Sequence, residues 1–310
     1  MAKNTFIAFL DLLAFSPHIR ENTDDALRAF EIYSKILESK RKKEQNHPIS
    51  TYTHSSMQSF EIKRAAGSFD YFLPFSDSIF ISSIDPNVFL KQLGSFILHC
   101  FNSTLKVYSN PSEPNNPIKL LRSTSGMKTI EENRYPTLFR GGIAMGEVIP
   151  ISLMGIVNGK ATTVTNLAGK AVIEAVNLED EIDGPRVFLK KDVFEKLDAA
   201  TKIYVAETEK QDVYELLWPC FYYNLEEGYV YNSITGFHFL LLQAVSLWKA
   251  STNSKYLKNY WSFVELVIRG TLKVFAELGQ RERAIGIVQE SIFTFGIVQE
   301  TNHLLEPYIC

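Results

Sequence analysis

Two aspartates set inside apolar strand-like segments constrain this chain more than any other feature. They are Asp11 in Phe9-Leu10-Asp11-Leu12-Leu13 and Asp77 in Phe75-Ser76-Asp77-Ser78-Ile79. A carboxylate at the end of an apolar strand is costly unless it is paired, hydrogen-bonded or bound to a metal. Either aspartate alone reads more readily as a strand-end turn residue bonded to nearby backbone N–H groups. Brought together they would repel each other, and divalent cations held by hard oxygen ligands would remove that repulsion. A fold that uses both must place the two strand ends side by side.

The surrounding pattern supplies such strands. Thr5–Leu10 reads as a buried strand with Asp11 at its end. Residues 24–43 follow as an amphipathic helix with Ala26, Phe30, Tyr33, Ile36 and Leu37 on one face. Segments 60–64 and 70–74 read as strands, and Asp77 falls in a tight turn before a strand at 79–83. Asp85-Pro86 begins a helix to about residue 107, and 108–136, rich in Asn, Pro and Ser, reads as a long loop. A strand is expected at 137–149, a helix at 165–180, a strand at 186–189, a short helix at 192–197 and a hairpin from 202–206 and 212–218. From Gly236 the periodicity becomes helical, over 237–250, 254–278 and 281–301. The pentapeptide Gly-Ile-Val-Gln-Glu occurs at 286–290 and 296–300, which is too little for a repeat architecture. The expected fold class is therefore α+β, a ferredoxin-like βαββαβ core sheet with flanking helices at 1–235, plus a C-terminal helical extension at 236–310.

Composition narrows the partners. The net charge of -3 argues against a broad basic surface for nucleic acid. The longest late apolar run, 237–248, is short of the ~20 residues a membrane span needs. Cys100, Cys220 and Cys310 lack metal spacing and read as incidental reduced thiols. No secretory pattern opens the sequence, so a cytoplasmic location is expected.

Four segments occur in order: Phe-Leu-Asp-Leu-Leu-Ala-Phe-Ser (9–16), Phe-Ser-Asp-Ser-Ile (75–79), Arg-Gly-Gly-Ile-Ala-Met-Gly-Glu-Val (140–148) and Gly-Lys-Ala-Val-Ile-Glu-Ala-Val-Asn-Leu-Glu (169–179). Together they resemble the catalytic domain of class III nucleotidyl cyclases, and most of all the bacterial pyrimidine cyclases of the Pycsar anti-phage defence system. The resemblance covers about residues 5–220. It implies that Asp11, assisted by the carbonyl of Leu12, and Asp77 hold two Mn2+ or Mg2+ ions per site. It implies that Arg140 either contacts phosphate or fixes its strand. Gly141, Gly142 and Gly146 read as packing residues, and Glu174 and Glu179 as solvated or helix-supporting charges. No Gly-Gly-Asp-Glu-Phe signature is present, which sets aside the diguanylate cyclases.

The departures are specific. Class III cyclases carry an asparagine and an arginine on the late helix, where this chain has Ile173 and Asn177. The adenine-reading lysine is replaced by Leu73, which offers no hydrogen bond to a purine. A glycine after the first aspartate is Ala14. The substrate contacts implied are Leu73, Phe75, Ser76 and Asn177. The resemblance thus implies conversion of UTP to 3′,5′-cyclic UMP and pyrophosphate, in a homodimer with shared sites, with the product read by a separate effector. Alternatives are conversion of CTP to cyclic CMP, and a degenerate nucleotide-binding module without turnover.

Overall fold

The structure is a computed structural model. It describes residues 4–13, 15–21, 23–46, 62, 65–104, 120–123, 129–132, 137–180, 183–222, 230–251 and 254–309. Strand β1 (Asn4–Leu12) is followed by helices α1 (Phe15–Glu21) and α2 (Thr23–Asn46). The hairpin β2 (Tyr71–Phe75) and β3 (Ser78–Ser83) leads into α3 (Pro86–Thr104). The carboxylate of Asp85 accepts from the N–H groups of Asn87 and Val88 and so caps α3. Strands β4 (Leu120–Ser123) and β5 (Thr129–Glu132) pair with each other where a loop was expected. Next come β6 (Phe139–Glu147), β7 (Ile149–Val157), β8 (Lys160–Ala168) and α4 (Lys170–Asp180). Strand β9 (Val187–Lys190), the short helices α5 (Lys191–Glu195) and α6 (Ala199–Lys202), and the hairpin β10 (Val205–Glu207) and β11 (Val213–Leu216) complete the sheet. A 3-10 turn at Trp218–Tyr222 precedes α7 (Val230–Ala250), α8 (Ser254–Glu277), α9 (Arg281–Thr294) and α10 (Val298–Ile309).

The fold is α+β. Seven strands form one sheet in the order β10-β11-β9-β6-β1-β3-β2. Its centre, β6-β1-β3-β2, is antiparallel throughout. Numbered along the chain these four strands stand in the order 4-1-3-2, with helices between the first and second and between the third and fourth. This is the ferredoxin-like βαββαβ plan. Strand β9 adds to β6 in parallel, and α4 supplies the crossover between them.

Alternation along β1 assigns the two faces. Phe6, Ala8, Leu10 and Leu12 enter the main core with residues of α3 and of the C-terminal helices. Ile7 enters a smaller cluster with Ala144 and with Ala171, Val172 and Ala175 of α4. Helix α4 lies tight against β6. A Cβ at Gly142 would stand 2.1 Å from the carbonyl oxygen of Ala175, and one at Gly141 2.3 Å from that of Phe9. Both glycines are packing residues, as expected. Helix α4 packs against β1, β6 and β9, and Tyr71 and Leu73 of β2 border its apolar cluster.

Several element boundaries differ from the sequence reading. Helix α1 was not expected. The strand expected at 60–64 falls outside the described residues except Ile62, as do residues 105–107 of the expected helix. The helix expected from 165 begins at Lys170, because β8 runs to Ala168 and Gly169 follows with φ +131°. The single helix expected over 281–301 is two helices. They are divided at Gly296 (φ +64°) by a Schellman cap, in which Ile297 N–H donates to the Ile292 carbonyl and Gly296 N–H to that of Phe293. The repeated pentapeptide is interior helix in one copy and this helix break in the other, which removes any structural meaning from the repetition. Cys100 and Cys220 are buried, and burial pushes both thiols up. Cys310 lies outside the described residues.

Candidate active site on the sheet face

Register places the candidate residues in a row. Phe75 of β2 pairs with Ser78 of β3, Ser78 with Asp11 of β1, and Asp11 with Arg140 of β6. Residues directly opposite one another in antiparallel strands project to the same face. The row Phe75–Ser78–Asp11–Arg140 therefore crosses four strands on the face that carries α4. The next row is Leu73, Phe80, Phe9 and Gly142, with the Phe9 and Phe80 rings 4.9 Å apart. Phe75 is 48% exposed, so this apolar surface opens to solvent beside the aspartate.

Asp11 Oδ1 accepts from the Ser78 hydroxyl at 2.8 Å. Its Oδ2 accepts from Arg140 Nη2 at 3.3 Å and Nε at 3.4 Å. Burial raises the pKa of Asp11; the Ser78 bond opposes that rise, the Asp77 charge adds to it, and Arg140 lowers it. The two aspartates thus feel each other. Asp77 sits in the β2–β3 turn after Ser76, whose φ of +52° tightens that turn. Its carbonyl accepts from Leu12 N–H at 2.9 Å, which clamps the turn to β1. No hydrogen bond or ion pair engages the Asp77 side chain among the described residues. The Leu12 side chain points to the main core, away from this face.

Arg140 also forms an ion pair with Glu179, at the end of α4. This corrects the sequence reading, in which Glu179 was a solvated or helix-supporting charge. Its side chain is 5% exposed. Glu174 does fit that reading, paired with Lys170 at 3.5 Å on the helix surface. Burial pushes the Glu179 carboxyl up to about 7, Arg140 holds it down, and Asp11 and Asp180 add to the rise. A carboxyl whose folded pKa lies above its ordinary value binds its proton more tightly when folded, so stability falls as pH rises between those values. Asp11 acts with the same sign. The thermal midpoint is expected to fall as pH rises from 4.5 to about 7, and Glu179→Gln to flatten that slope. Parallel slopes in thermal melts of the two proteins would contradict the assignment.

The structure does not bring every candidate together. Asn177 is exposed on α4, as is Ile173 at 62%. Two residues before Glu179, Asn177 is turned about 200° around the helix, away from Arg140. Ser76 is exposed in the turn, and Leu73 packs toward the α4 cluster. Among the described residues no group of three or more His, Cys, Asp or Glu side chains could hold a metal. No helix among them is long and apolar enough to cross a membrane.

No family model and no curated protein matches the chain. Among solved structures, it is similar to the guanylyl cyclase Cya2, with a TM-score of 0.39 and 14% identity over 70% of this chain and 94% of that one. It is also similar to a bacterial light-regulated adenylyl cyclase, with a TM-score of 0.38 and 17% identity over 70% of this chain and 91% of that one. Likenesses of this size say nothing of activity, and the functional reading rests on the side chains of the sheet.

Proposed function

We propose that the chain is a class III-type nucleotidyl cyclase that converts UTP to 3′,5′-cyclic UMP and pyrophosphate. The observation that carries this reading is the cross-strand row Phe75–Ser78–Asp11–Arg140 with Asp77 at the adjoining turn. The side-chain donors are carboxylate oxygens, without imidazole or thiolate, and among the described residues no hydrogen bond or ion pair engages the Asp77 side chain. That donor set suits Mg2+ or Mn2+, which take one or two protein carboxylates and complete their shell with water and substrate phosphate. Asp11 and Asp77 would hold the ions, and the Leu12 carbonyl is the third donor proposed. Bound there, divalent cations supply charge neutralisation at the phosphates and lower the pKa of the attacking ribose 3′-hydroxyl.

The protein's own residues supply position. Arg140 stands beside Asp11 as a cation within reach of a phosphate. Phe75 and Leu73 offer an apolar surface for the base, and Ser76 adds a polar contact at its edge. Leu73 cannot read a purine edge by hydrogen bonding, which favours a pyrimidine. Uridine is preferred, and cytidine is the runner-up. Ile173 and Asn177 point away from Asp11 of their own chain, so Asn177 would serve the substrate of a second copy. That arrangement makes the enzyme a homodimer with sites shared between copies. The apolar side chains exposed on the β7–β8 hairpin, Met154 at 86% and Ile156 at 77%, support such an association. We assign residues 1–235 to catalysis and 236–310 to a helical extension. The setting proposed is the cytoplasm, with the cyclic nucleotide read by a separate anti-phage effector.

The test is product identification. The full chain is incubated with all four ribonucleoside triphosphates and Mn2+, and the products are separated by mass. Cyclic UMP is expected to dominate. Cyclic CMP as the main product would move the base assignment, and cyclic AMP or GMP would overturn the pyrimidine reading. No cyclic product at all would leave the second reading, a nucleotide-binding module without turnover, which Ile173 and Asn177 favour.

A further inference from the structure

Arg140 is held by two carboxylates of different character. Its contacts to Asp11 Oδ2, at 3.3 and 3.4 Å, are longer than the ~2.7–2.9 Å of a good charge-assisted bond. It is also ion-paired with Glu179. Glu179 is fixed by its helix, because Ala175 of α4 rests on the backbone at Gly142 with no room for a Cβ. Asp11 is fixed in the centre of the sheet, and its other oxygen is engaged by Ser78. The guanidinium is a third exposed and stands on a flexible stem, so it is the member of the trio that can move.

We infer that Arg140 is an exchangeable counterion shared between Asp11 and Glu179, and that Glu179 is the positioning residue that draws it off Asp11 so that Asp11 and Asp77 can serve a divalent cation. This rests on the metal site proposed above. Without an ion, Arg140 offsets the repulsion between Asp11 and Asp77. With one, a guanidinium left on Asp11 would repel the incoming charge. Glu179 gives it a second place to go without leaving the site, where it stays within reach of a phosphate. Glu179 acts through Arg140 and touches no reacting atom.

The experiment measures Mn2+ binding to the full chain by calorimetry, without nucleotide, in four proteins: wild type, Glu179→Gln, Arg140→Gln and the double variant. Circular dichroism checks that each is folded. Arg140→Gln is expected to tighten Mn2+ binding by about threefold, and Glu179→Gln to weaken it by about as much, the scale of a partly exposed ion pair. In the Arg140→Gln background, Glu179→Gln is expected to change nothing further, because its route is gone. Equal affinity in wild type and Glu179→Gln overturns the inference. Equal weakening in both backgrounds also overturns it, since Glu179 would then act as a plain distant charge. If Glu179→Gln does not fold, Arg140→Gln decides alone, and unchanged affinity there overturns the exchange. Wild type that binds no Mn2+ removes the metal site itself, and the inference with it. Binding by wild type with the variants unchanged removes only the exchange.

Discussion

Alanine at Asp11 or at Asp77 is expected to lower cyclic nucleotide formation by roughly a thousandfold or more while leaving a folded chain, since a two-ion site supplies several kcal/mol at about 1.4 kcal/mol per decade. The structure explains why the fold would survive. Asp11 is raised in pKa by burial, so deleting it relieves a desolvation cost. Arg140 then keeps Glu179 as its partner. Asp77 holds its turn by its main-chain carbonyl, bonded to Leu12 N–H, and alanine retains that bond. Asp11→Asn, which keeps the shape and an acceptor for Ser78 but loses the charge, should be nearly as inactive as Asp11→Ala. The measurements are initial rates with Mn2+ and thermal melts of each variant. Turnover within about tenfold of wild type in a folded variant would sink the metal role of that residue.

The part of this site that the sequence discloses is the part written in strand pattern. Apolar neighbours mark Asp11 and Asp77 as strand-end groups, and antiparallel pairing of β1 with β3 brings them together. Arg140 belongs to the same row through β6. Burial of Glu179 is not legible locally, because a glutamate near a helix end is usually solvated. Its spacing held the signal: Ala171, Ala175 and Glu179 recur at four-residue steps, and the two alanines lie in the buried stripe of α4 with Val172 and Leu178. The β7–β8 hairpin was missed for a different reason. Helical apolar spacing dominates Thr165–Asp180, although Val157-Asn158-Gly159-Lys160 is the Asn-Gly signature of a two-residue hairpin turn. Both central residues have positive φ, +50° at Asn158 and +74° at Gly159, as the type I′ turn requires. The β4–β5 ribbon, in contrast, lies in a segment dominated by Asn, Pro, Ser and charge, where local pattern favours a loop.

The largest stability effect is expected far from the aspartates, at Glu215 on β11. Its side chain is fully buried, at 0% exposure, and accepts from Arg186 Nη2 at 2.7 Å and Arg269 Nη2 at 3.0 Å, with Arg186 Nε on its other oxygen. Arg186 immediately precedes β9, and Arg269 belongs to α8. One carboxylate thus ties the sheet to the C-terminal helices. The Trp218 indole donates to the Pro185 carbonyl at 2.7 Å and stacks on Phe263 of α8, within the same core as β1 and α3. Removing one member of a buried ion cluster leaves its partners uncompensated and costs about 3–5 kcal/mol. Glu215→Ala should therefore lower the thermal midpoint by on the order of 10 °C. Glu215→Gln, which keeps one acceptor, should lose less. Because the core is continuous from sheet to helices, the loss should appear as one cooperative transition. A separate early melting of the helices, followed by an unshifted main transition, would show that Glu215 anchors only the extension. A shift below about 2 °C would mean that the two arginines are satisfied by solvent and that packing alone joins the helices to the sheet.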